Sequence, residues 1–505
     1  MSGAPRCQIR WRRPRWERRT TATVFSMTNS ILQVLAMLGL VLSVSNLQSQ
    51  DLQDPKTPTS QVAQLLVRRC VSCHHARKAE GELNLETIGG LIAPRGGLGP
   101  VVKRQSVDES LILQRLTSTD PDLQMPPEGE RCSQQEIDLL RQWIVAGTPW
   151  EIDASTPLWK LSPDTPYLAE PPPFYTQPLP VAAIASDAGR DRVWVAGYHE
   201  VLAIDPKDGR LVQRVGKLGQ QTSAIAVDRS SGAIFVACGT PGERGFVFRI
   251  DPDQTVPPRR LTLANDVPTD IAISPDGKDV AIAHRDGRLE VRRCEDASLV
   301  LDATPHADAI LSVNWSQDGN RLLCTSRDRT AKSWDRQEKE WIAAYDRHDR
   351  AVGGGAFLGK RPCTYDDAGV LRCWPADHGE SIDARRDGMH RHLMRLASNK
   401  DLLLVTEASR LRLMRMGTRE EDDGKDDQGK AKKKRRTIFE ELAVLEAPEG
   451  TRLTSACFLD DRSVAAGSAW GDLVVWRWDS DLVVLPVSPR IEPAGRWSAY
   501  PRQDP

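Results

Sequence analysis

Two cysteines and two histidines stand together in the stretch Cys-Val-Ser-Cys-His-His at residues 70–75. Thiols and imidazoles at this spacing can bind a metal, form a redox dithiol or attach a prosthetic group. A structural zinc site needs about four ligands, usually as two matched pairs, and the only other Cys or His between residues 46 and 180 is Cys132. A thioredoxin-like dithiol needs a βαβ context, and no such pattern precedes Cys70.

The same stretch contains Cys-x-x-Cys-His, the attachment signature of c-type haem. Cys70 and Cys73 lie one helical turn apart, so their thiols could form thioethers with the two vinyl groups of one haem. His74 follows directly and is predicted to be the proximal iron ligand. We therefore expect one covalently bound haem c per chain.

Met125 is the predicted distal iron ligand, because it is the only methionine between residues 46 and 180. It lies in the stretch Leu-Gln-Met-Pro-Pro, where two prolines favour an extended, non-helical loop. The alternative is a methionine that fills a gap in the core. His75 is a poorer candidate because its neighbour His74 already approaches the iron from one side, so we expect His75 at the haem edge or in solvent.

Three helical patterns surround these residues. The first runs from Gln61 into the cysteine motif. Residues 106–116 begin with a Ser-x-x-Glu capping box, and residues 133–149 repeat this device and end at a glycine and a proline. Three helices packed on one prosthetic group would give a domain of about 100 residues its core.

The first 50 residues have the layout of a secretory signal, with an arginine-rich start, an apolar run at Ile31–Val44 and small residues at Ser43 and Ser45. The apolar run has 14 residues, fewer than the about 20 that cross a bilayer as a helix. We predict export by the general secretory route to the periplasm or cell envelope. An uncleaved N-terminal anchor, which would attach the protein to the membrane, is the alternative.

The chain beyond residue 50 divides by composition into a helical region at 51–153, a linker at 154–180, a β-rich region at 181–490 and a tail at 491–505. The linker contains eight prolines and is predicted to be semi-extended. In the β-rich region, corresponding positions recur about every 42 residues, as at Ser274, Ser316 and Leu358. A period of about 40–45 residues with four short strands per unit is typical of a β-propeller blade, and we count seven units, starting near 181, 222, 269, 309, 351, 390 and 451.

The unit at 309–350 closely resembles a WD repeat. In such repeats a histidine, a strand hydroxyl, a turn aspartate and a tryptophan form a buried hydrogen-bond network, which here implies His306, Thr325 or Ser326, Asp328 and Trp334. Buried polar groups must satisfy one another, which makes this set plausible. The other units resemble WD repeats in topology only, and the unit at 351 has Trp374 without a following aspartate.

Two further features of the β-rich region lead to expectations. Residues 418–437 combine an acidic block with a basic block, a pattern normally found in a solvated, mobile loop. Of the cysteines outside the motif, Cys363 and Cys373 flank one predicted hairpin and are the pair to test for a disulfide. Several others lie in apolar, strand-like runs and are expected to be small buried hydrophobic residues.

Residues Leu65 to Trp150, with Cys-x-x-Cys-His followed by Met-Pro-Pro, resemble the planctomycete-type cytochrome c domain, a small haem module often joined to other domains. The resemblance implies haem attached to Cys70 and Cys73, with His74 and Met125 as axial ligands. The fold class expected for the whole chain is therefore multidomain, with a small all-α cytochrome domain followed by an all-β propeller of about seven WD-like blades.

These features predict an exported electron carrier whose propeller binds a redox partner protein or membrane complex. The formal net charge of −1 provides no bulk attraction to nucleic acid, and no nucleic-acid partner is expected. No catalytic triad or paired-carboxylate site can be assigned, so a carrier is favoured over a catalyst. Two alternatives stay open, namely a redox enzyme with a substrate site on the propeller and a haem sensor or scaffold.

Overall fold

The computed structural model describes residues 58–71, 73–74, 80–93, 99–127, 131–149, 153–161, 168–374, 383–386, 396–399, 402–425, 431–479, 490–491 and 495–501. The predicted signal at residues 1–50 and His75 lie outside the described residues. In the part of the chain that is described, no helix is both long enough and apolar enough to span a bilayer.

The N-terminal region is helical. Its helices within the described residues are α1 Pro58–Leu66, α2 Ile88–Ile92, α3 Leu111–Thr117 and α4 Gln134–Val145. A π-helical turn at Val67–Val71 continues α1, and 3-10 turns lie at Glu80–Glu82 and Leu158–Lys160. Apolar side chains from all four α-helices form one buried core, which also takes in Leu158 and Leu161 from the start of the predicted linker.

The two predicted capping boxes have different outcomes. Ser133 is the N-cap of α4, and its hydroxyl accepts from the backbone N–H of Glu136 while the Glu136 carboxylate accepts from the backbone N–H of Ser133. The box at Ser106 does not start a helix, because α3 begins only after Ser110. The buried Ser110 hydroxyl donates to the Ser106 carbonyl at 2.6 Å and accepts from the backbone N–H of Lys103 at 2.9 Å, so it stabilises the preceding turn instead.

The β-rich region forms a seven-bladed propeller, as predicted. Blade 1 contains β1 Ile184–Asp187, β2 Arg192–Ala196, β3 Val201–Ile204 and β4 Leu211–Val215. Blade 2 contains β5 Gln221–Val227, β6 Ile234–Thr240, β7 Arg244–Ile250 and β8 Arg259–Ala264. Blade 3 contains β9 Asp270–Ile273, β10 Asp279–Ala283, β11 Leu289–Arg293 and β12 Leu299–Ala303.

The remaining four blades continue the same order. Blade 4 contains β13 Ile310–Trp315, β14 Arg321–Ser326, β15 Ala331–Asp335 and β16 Glu340–Tyr345. Blade 5 contains β17 Val352–Leu358, β18 Arg361–Asp366, β19 Val370–Cys373 and β20 Asp383–Arg386. Blade 6 contains β21 Leu396–Asn399, β22 Leu402–Thr406, β23 Arg410–Lys425, β24 Ala431–Glu446 and β28 Arg490–Ile491. Blade 7 contains β25 Leu453–Asp460, β26 Ser463–Ser468, β27 Asp472–Arg477 and β29 Gly495–Ser498.

The repeated turn between the first two strands of a blade has a physical basis in blades 3 and 4. The Ser274 hydroxyl donates to the Asp276 carboxylate at 2.6 Å and accepts from the backbone N–H that follows the turn, and Ser316 and Asp318 do the same. A glycine follows each aspartate with φ near +70°, a conformation that costs a glycine little. This shared turn explains the 42-residue repeat in the sequence.

The propeller closes between blades 7 and 1. One buried apolar cluster contains side chains from both blades. The Tyr500 hydroxyl donates to the Ala196 carbonyl at 2.8 Å, and the backbone N–H of Val181 donates to the Ser468 carbonyl at 3.0 Å. The two ends of the propeller sequence therefore hold the ring together.

The second half of the predicted linker is docked on blade 1. Arg214 donates to the carbonyls of Pro172 and Pro173 and forms an ion pair with the fully buried Glu200 at 2.8 Å. Tyr175 also donates to the Glu200 carboxylate, at 2.7 Å.

The stretch expected to form a charged mobile loop, residues 418–437, falls in blade 6. Residues 418–425 belong to β23 and residues 431–437 to β24, which pair as antiparallel strands. Residues 426–430 lie outside the described residues.

Candidate functional site

The cysteine motif lies where α1 ends. Cys70 belongs to the π turn, and the backbone N–H groups of Cys73 and His74 both donate to the Cys70 carbonyl, at 3.2 and 3.0 Å. The His74 carbonyl accepts from the backbone N–H of Leu85 at 2.7 Å, which fixes the far side of the turn. Neither cysteine forms a disulfide, so the motif combines a compact turn with the two unoxidised thiols that covalent attachment requires.

Met125 approaches the same core. Its backbone N–H donates to the Arg115 carbonyl at 3.0 Å, and the Met125–Pro126 peptide bond is cis. The half-buried side chains of Met125 and Cys70 both pack against the single helical core. This donor set, with two thiols, an imidazole and a thioether around one apolar core, fits a haem c.

The environment of Cys70 keeps its thiol protonated. Burial raises the pKa of the Cys70 thiol to about 12, and the neighbouring Cys132 adds to this effect while Arg69 opposes it. A thiol with this pKa is a poor metal ligand on its own, because the thiolate is the form that binds metals. Among the described side chains, no group of three His, Cys, Asp or Glu residues could hold a metal ion.

An ion cluster fixes the segment just before Cys70. Arg68 and Arg69 both bond to the Glu136 carboxylate on α4, at 2.5 Å from Arg68 and 3.3 Å from Arg69. Burial alone would raise the pKa of Glu136, but the Ser133 backbone N–H and the two guanidinium groups outweigh it, so the pKa lies below its usual value. Glu136 is therefore ionised at neutral pH and joins α4 to the cysteine turn.

In blade 4 the predicted network is only partly formed. His306 Nδ1 lies 3.0 Å from the Asp328 carboxylate, as expected. His306 Nε2 meets Cys324 Sγ at 3.2 Å, whereas the predicted hydroxyls of Thr325 and Ser326 point elsewhere. Ser326 donates to the Asp308 carbonyl. Trp334 is fully buried, but its indole N–H has no hydrogen-bond partner among the described residues.

Blade 5 has the complete network, which sequence analysis did not identify. His348 lies 2.8 Å from both the Asp366 carboxylate and the Thr364 hydroxyl, and the Trp374 indole N–H donates to the same hydroxyl at 3.3 Å. Its histidine and aspartate are 18 residues apart, against 22 in blade 4. The signal that could have found it is a histidine before the first strand combined with a Thr-x-Asp at the end of the second.

Cys324, His306 and Asp328 have the order of a nucleophile, a base and an orienting carboxylate. Cys324 is fully buried and His306 nearly so, so no substrate can reach the sulfur. Burial raises the pKa of Cys324 to about 12 and lowers that of His306, which disfavours a thiolate–imidazolium pair. The triad is therefore a structural network in which a thiol replaces a hydroxyl.

The described part of the propeller also contains a cavity of about 780 Å³. Three of the four charged side chains of its wall already interact with protein groups. Asp270 accepts from the backbone N–H groups of Ile271 and Val313 at 3.0 Å, Arg285 lies 3.5 Å from Asp266, and Arg327 lies 2.7 Å from Asp308. The fourth is Asp367, and partial burial and the neighbouring Asp366 raise the pKa of its carboxyl group.

One predicted pair outside these networks is bonded. The structure joins Cys363 and Cys373 as a disulfide between directly opposed positions of β18 and β19. Both residues are buried and lie next to Thr364 and Trp374, so the bridge covalently ties the two strands that carry the blade 5 network.

Comparison with known proteins agrees with these two parts. The family model for Planctomycete cytochrome C matches residues 70–129, and the model for the WD domain, G-beta repeat, matches residues 298–335. The WD repeat-containing protein 55 homolog of Drosophila virilis is 26% identical over 170 residues, which are 33% of this chain and 33% of that protein. The Poly(A)+ RNA export protein of Schizosaccharomyces pombe is 29% identical over 98 residues, 19% of this chain and 28% of that protein.

Each match thus spans a third or less of the relative's length. The chain therefore combines a segment that matches the Planctomycete cytochrome C model with a seven-bladed β-propeller, one segment of which matches the WD repeat model.

Proposed function

We propose that this protein is an exported c-type cytochrome that carries electrons, with the propeller as a platform for a protein partner. The observation that supports it most directly is the compact turn in which Cys73 and His74 follow Cys70, with Cys70 packed against the same helical core as Met125.

The roles of the four residues follow from their chemistry. Cys70 and Cys73 would each add S–H across one vinyl group, with the sulfur bonded to one carbon and the hydrogen to the other, so attachment involves no net oxidation. His74 and Met125 would occupy both axial positions of the iron, which supplies reversible one-electron exchange when bound. With both axial positions taken, outer-sphere electron transfer is favoured over substrate activation, and Met/His ligation raises the reduction potential.

The platform role rests on the architecture of the propeller. WD propellers present loops and strand ends on a rigid ring, and rigid scaffolds with surface loops are where binding residues concentrate. The linker strengthens the argument, because the seven Cα steps from Leu161 to Leu168 can span at most about 25 Å. A partner bound to the propeller would meet the tethered haem domain at a high effective concentration.

Export has two supports. Residues 1–50 have the signal layout described above, and the disulfide between Cys363 and Cys373 is a bond of the kind that persists in oxidising compartments. Haem is joined to Cys-x-x-Cys-His motifs outside the cytoplasm, which agrees with both of these observations. The uncleaved anchor remains the alternative form of the same proposal.

Covalent attachment is tested with two cysteine variants of the full chain, expressed in an exporting host with haem-attachment machinery. Cys70→Ser combined with Cys73→Ser should release all haem into acid acetone and leave no haem stain on a denaturing gel. Cys132→Ser is the matched control, because Cys132 is the third thiol at this core, and it should retain the haem. Extractable haem in the wild type would refute the proposal.

A further inference from the structure

The Glu136 carboxylate takes part in two sets of hydrogen bonds, one that caps α4 and one to the arginines of the cysteine turn. One carboxylate oxygen, Oε2, accepts from the backbone N–H of Ser133 at 2.7 Å and completes the capping box of α4. The other, Oε1, accepts from Arg68 at 2.5 Å and from Arg69 Nε at 3.3 Å. Glu136 is only 15% exposed, so both sets of bonds are partly shielded from water.

The second set of bonds acts on the cysteine turn. Arg68 and Arg69 lie in the π turn Val67–Val71, directly before Cys70. A π turn widens a helix by one residue and is often found at functional sites. Cys70 lies within this turn, and its half-buried side chain packs against the helical core. Glu136 lies on α4 and bonds to this turn, although it is 67 residues away from Arg69 in the sequence.

From this geometry we infer that Glu136 is a positioning residue for haem attachment and for haem electrostatics, because it holds the π turn that aims Cys70 at the core. The inference rests on the proposed function for its haem-dependent part. Besides burial, the charge of Glu136 raises the pKa of the Cys70 thiol, and its contacts with the turn run through Arg68 and Arg69. It also neutralises part of their positive charge beside the attachment site.

The competing explanation is that Glu136 only caps α4. Two substitutions separate the roles. Glu136→Gln keeps a side chain that can complete a capping box but removes the negative charge that holds the arginines. Ser133→Ala removes the cap hydroxyl and leaves the Glu136–arginine bonds in place. A positioning role predicts an effect of the first substitution that the second does not reproduce.

The first readout needs no haem. In the haem-free full-length chain, iodoacetamide labelling of Cys70 and Cys73 is followed by mass spectrometry. Glu136→Gln and Arg69→Met should each speed the labelling of Cys70 about tenfold relative to Cys73, because each removes a charge-assisted bond that holds the turn. The two substitutions act in opposite directions on the pKa of Cys70, so a shared increase reports the loss of the contact. Ser133→Ala should leave the ratio of the two rates unchanged. A failure of either charge variant to increase the ratio, or an equal increase in Ser133→Ala, would overturn the inference.

The second readout is the reduction potential of the haem-loaded chain. Glu136→Gln should raise it, because the uncompensated arginines disfavour the more positive ferric state. Arg69→Met breaks the same contact but removes a cation, so it should lower the potential while still loosening Cys70. Potential shifts of the same sign in the two variants would refute the electrostatic role. If the wild-type chain carries no covalent haem, the proposed function is refuted. The labelling ratio would still show whether Glu136 holds the cysteine turn in place.

Discussion

The second strands of blades 4 and 5 allow the same substitution to be compared at a bonded and at an unbonded buried hydroxyl. Thr364 and Thr325 are both fully buried threonines on the second strand of a blade. The Thr364 hydroxyl donates to His348 and accepts from the Trp374 indole N–H. The Thr325 hydroxyl has no partner among the described residues. Thr→Val removes the hydroxyl and preserves the shape of the side chain at either position.

The expected costs differ because different groups lose their partners. In Thr364→Val, two buried groups, one on the histidine and one on the tryptophan, lose their bonds, at about 1–3 kcal/mol each. The propeller should therefore lose about 2–5 kcal/mol of unfolding free energy. Thr325→Val buries a methyl group in place of an unpaired hydroxyl, so its stability should stay level or rise by about 1 kcal/mol.

Thermal unfolding of the full chain, followed by near-ultraviolet circular dichroism, measures the difference. With an unfolding entropy of about 2.1 cal/mol/K per residue, the propeller of roughly 300 residues should show a midpoint about 3–7 °C lower for Thr364→Val. Thr325→Val should match or exceed the wild type. Equal losses in the two variants would show that the network contributes nothing beyond packing.

Three further outcomes are expected. Met125→Ala should lose the near-infrared band of sulfur-to-iron coordination and bind carbon monoxide when reduced, while the haem stays attached; an unchanged band would exclude Met125 as a ligand. Burial lowers the pKa of His284 from 6.5 to about 4, so the folded state favours neutral His284. About 3 kcal/mol of unfolding free energy should therefore be lost as the pH falls from 6.5 to 4. His284→Gln should remove this part of the pH dependence of urea unfolding. Asp279 is fully buried and bonds to Arg336 of the next blade, so Asp279→Asn should lower the free energy of unfolding in urea by about 2 kcal/mol. Asp191 forms an exposed ion pair, and Asp191→Asn should leave the free energy of unfolding almost unchanged.

The propeller could be predicted from sequence because its signal is repeated. The seven units were expected to start near 181, 222, 269, 309, 351, 390 and 451, and the first strands begin at Ile184, Gln221, Asp270, Ile310, Val352, Leu396 and Leu453. Each boundary depends on a local turn, such as the Ser-x-Asp-Gly turn of blades 3 and 4, and local turns can be read from adjacent residues. Blade 6 has the largest offset, because its unit begins in a stretch without that turn.

The helix starts show where local patterns stop being sufficient. Ser133 and Ser106 both carry the Ser-x-x-Glu spacing, yet only Ser133 caps a helix. At Ser106 the glutamate of the pattern, Glu109, accepts from the Ser106 hydroxyl at 3.1 Å and pairs with Lys103. The box is thus replaced by side-chain bonds within a turn. Which partner a serine chooses depends on backbone conformation, and the spacing alone does not determine it.

The blade networks show the same limit for side chains far apart in sequence. The sequence of blade 4 supplies every residue type of a WD network, but its histidine, His306, contacts Cys324, the fourth residue of β14, and the Trp334 indole has no partner among the described residues. Blade 5 lacks the Trp-Asp ending, yet the fourth residue of β18 is Thr364, whose hydroxyl bonds to both His348 and Trp374. The residue type at this one strand position therefore decides which blade completes the network, and identifying the position requires the strand boundaries that the structure supplies.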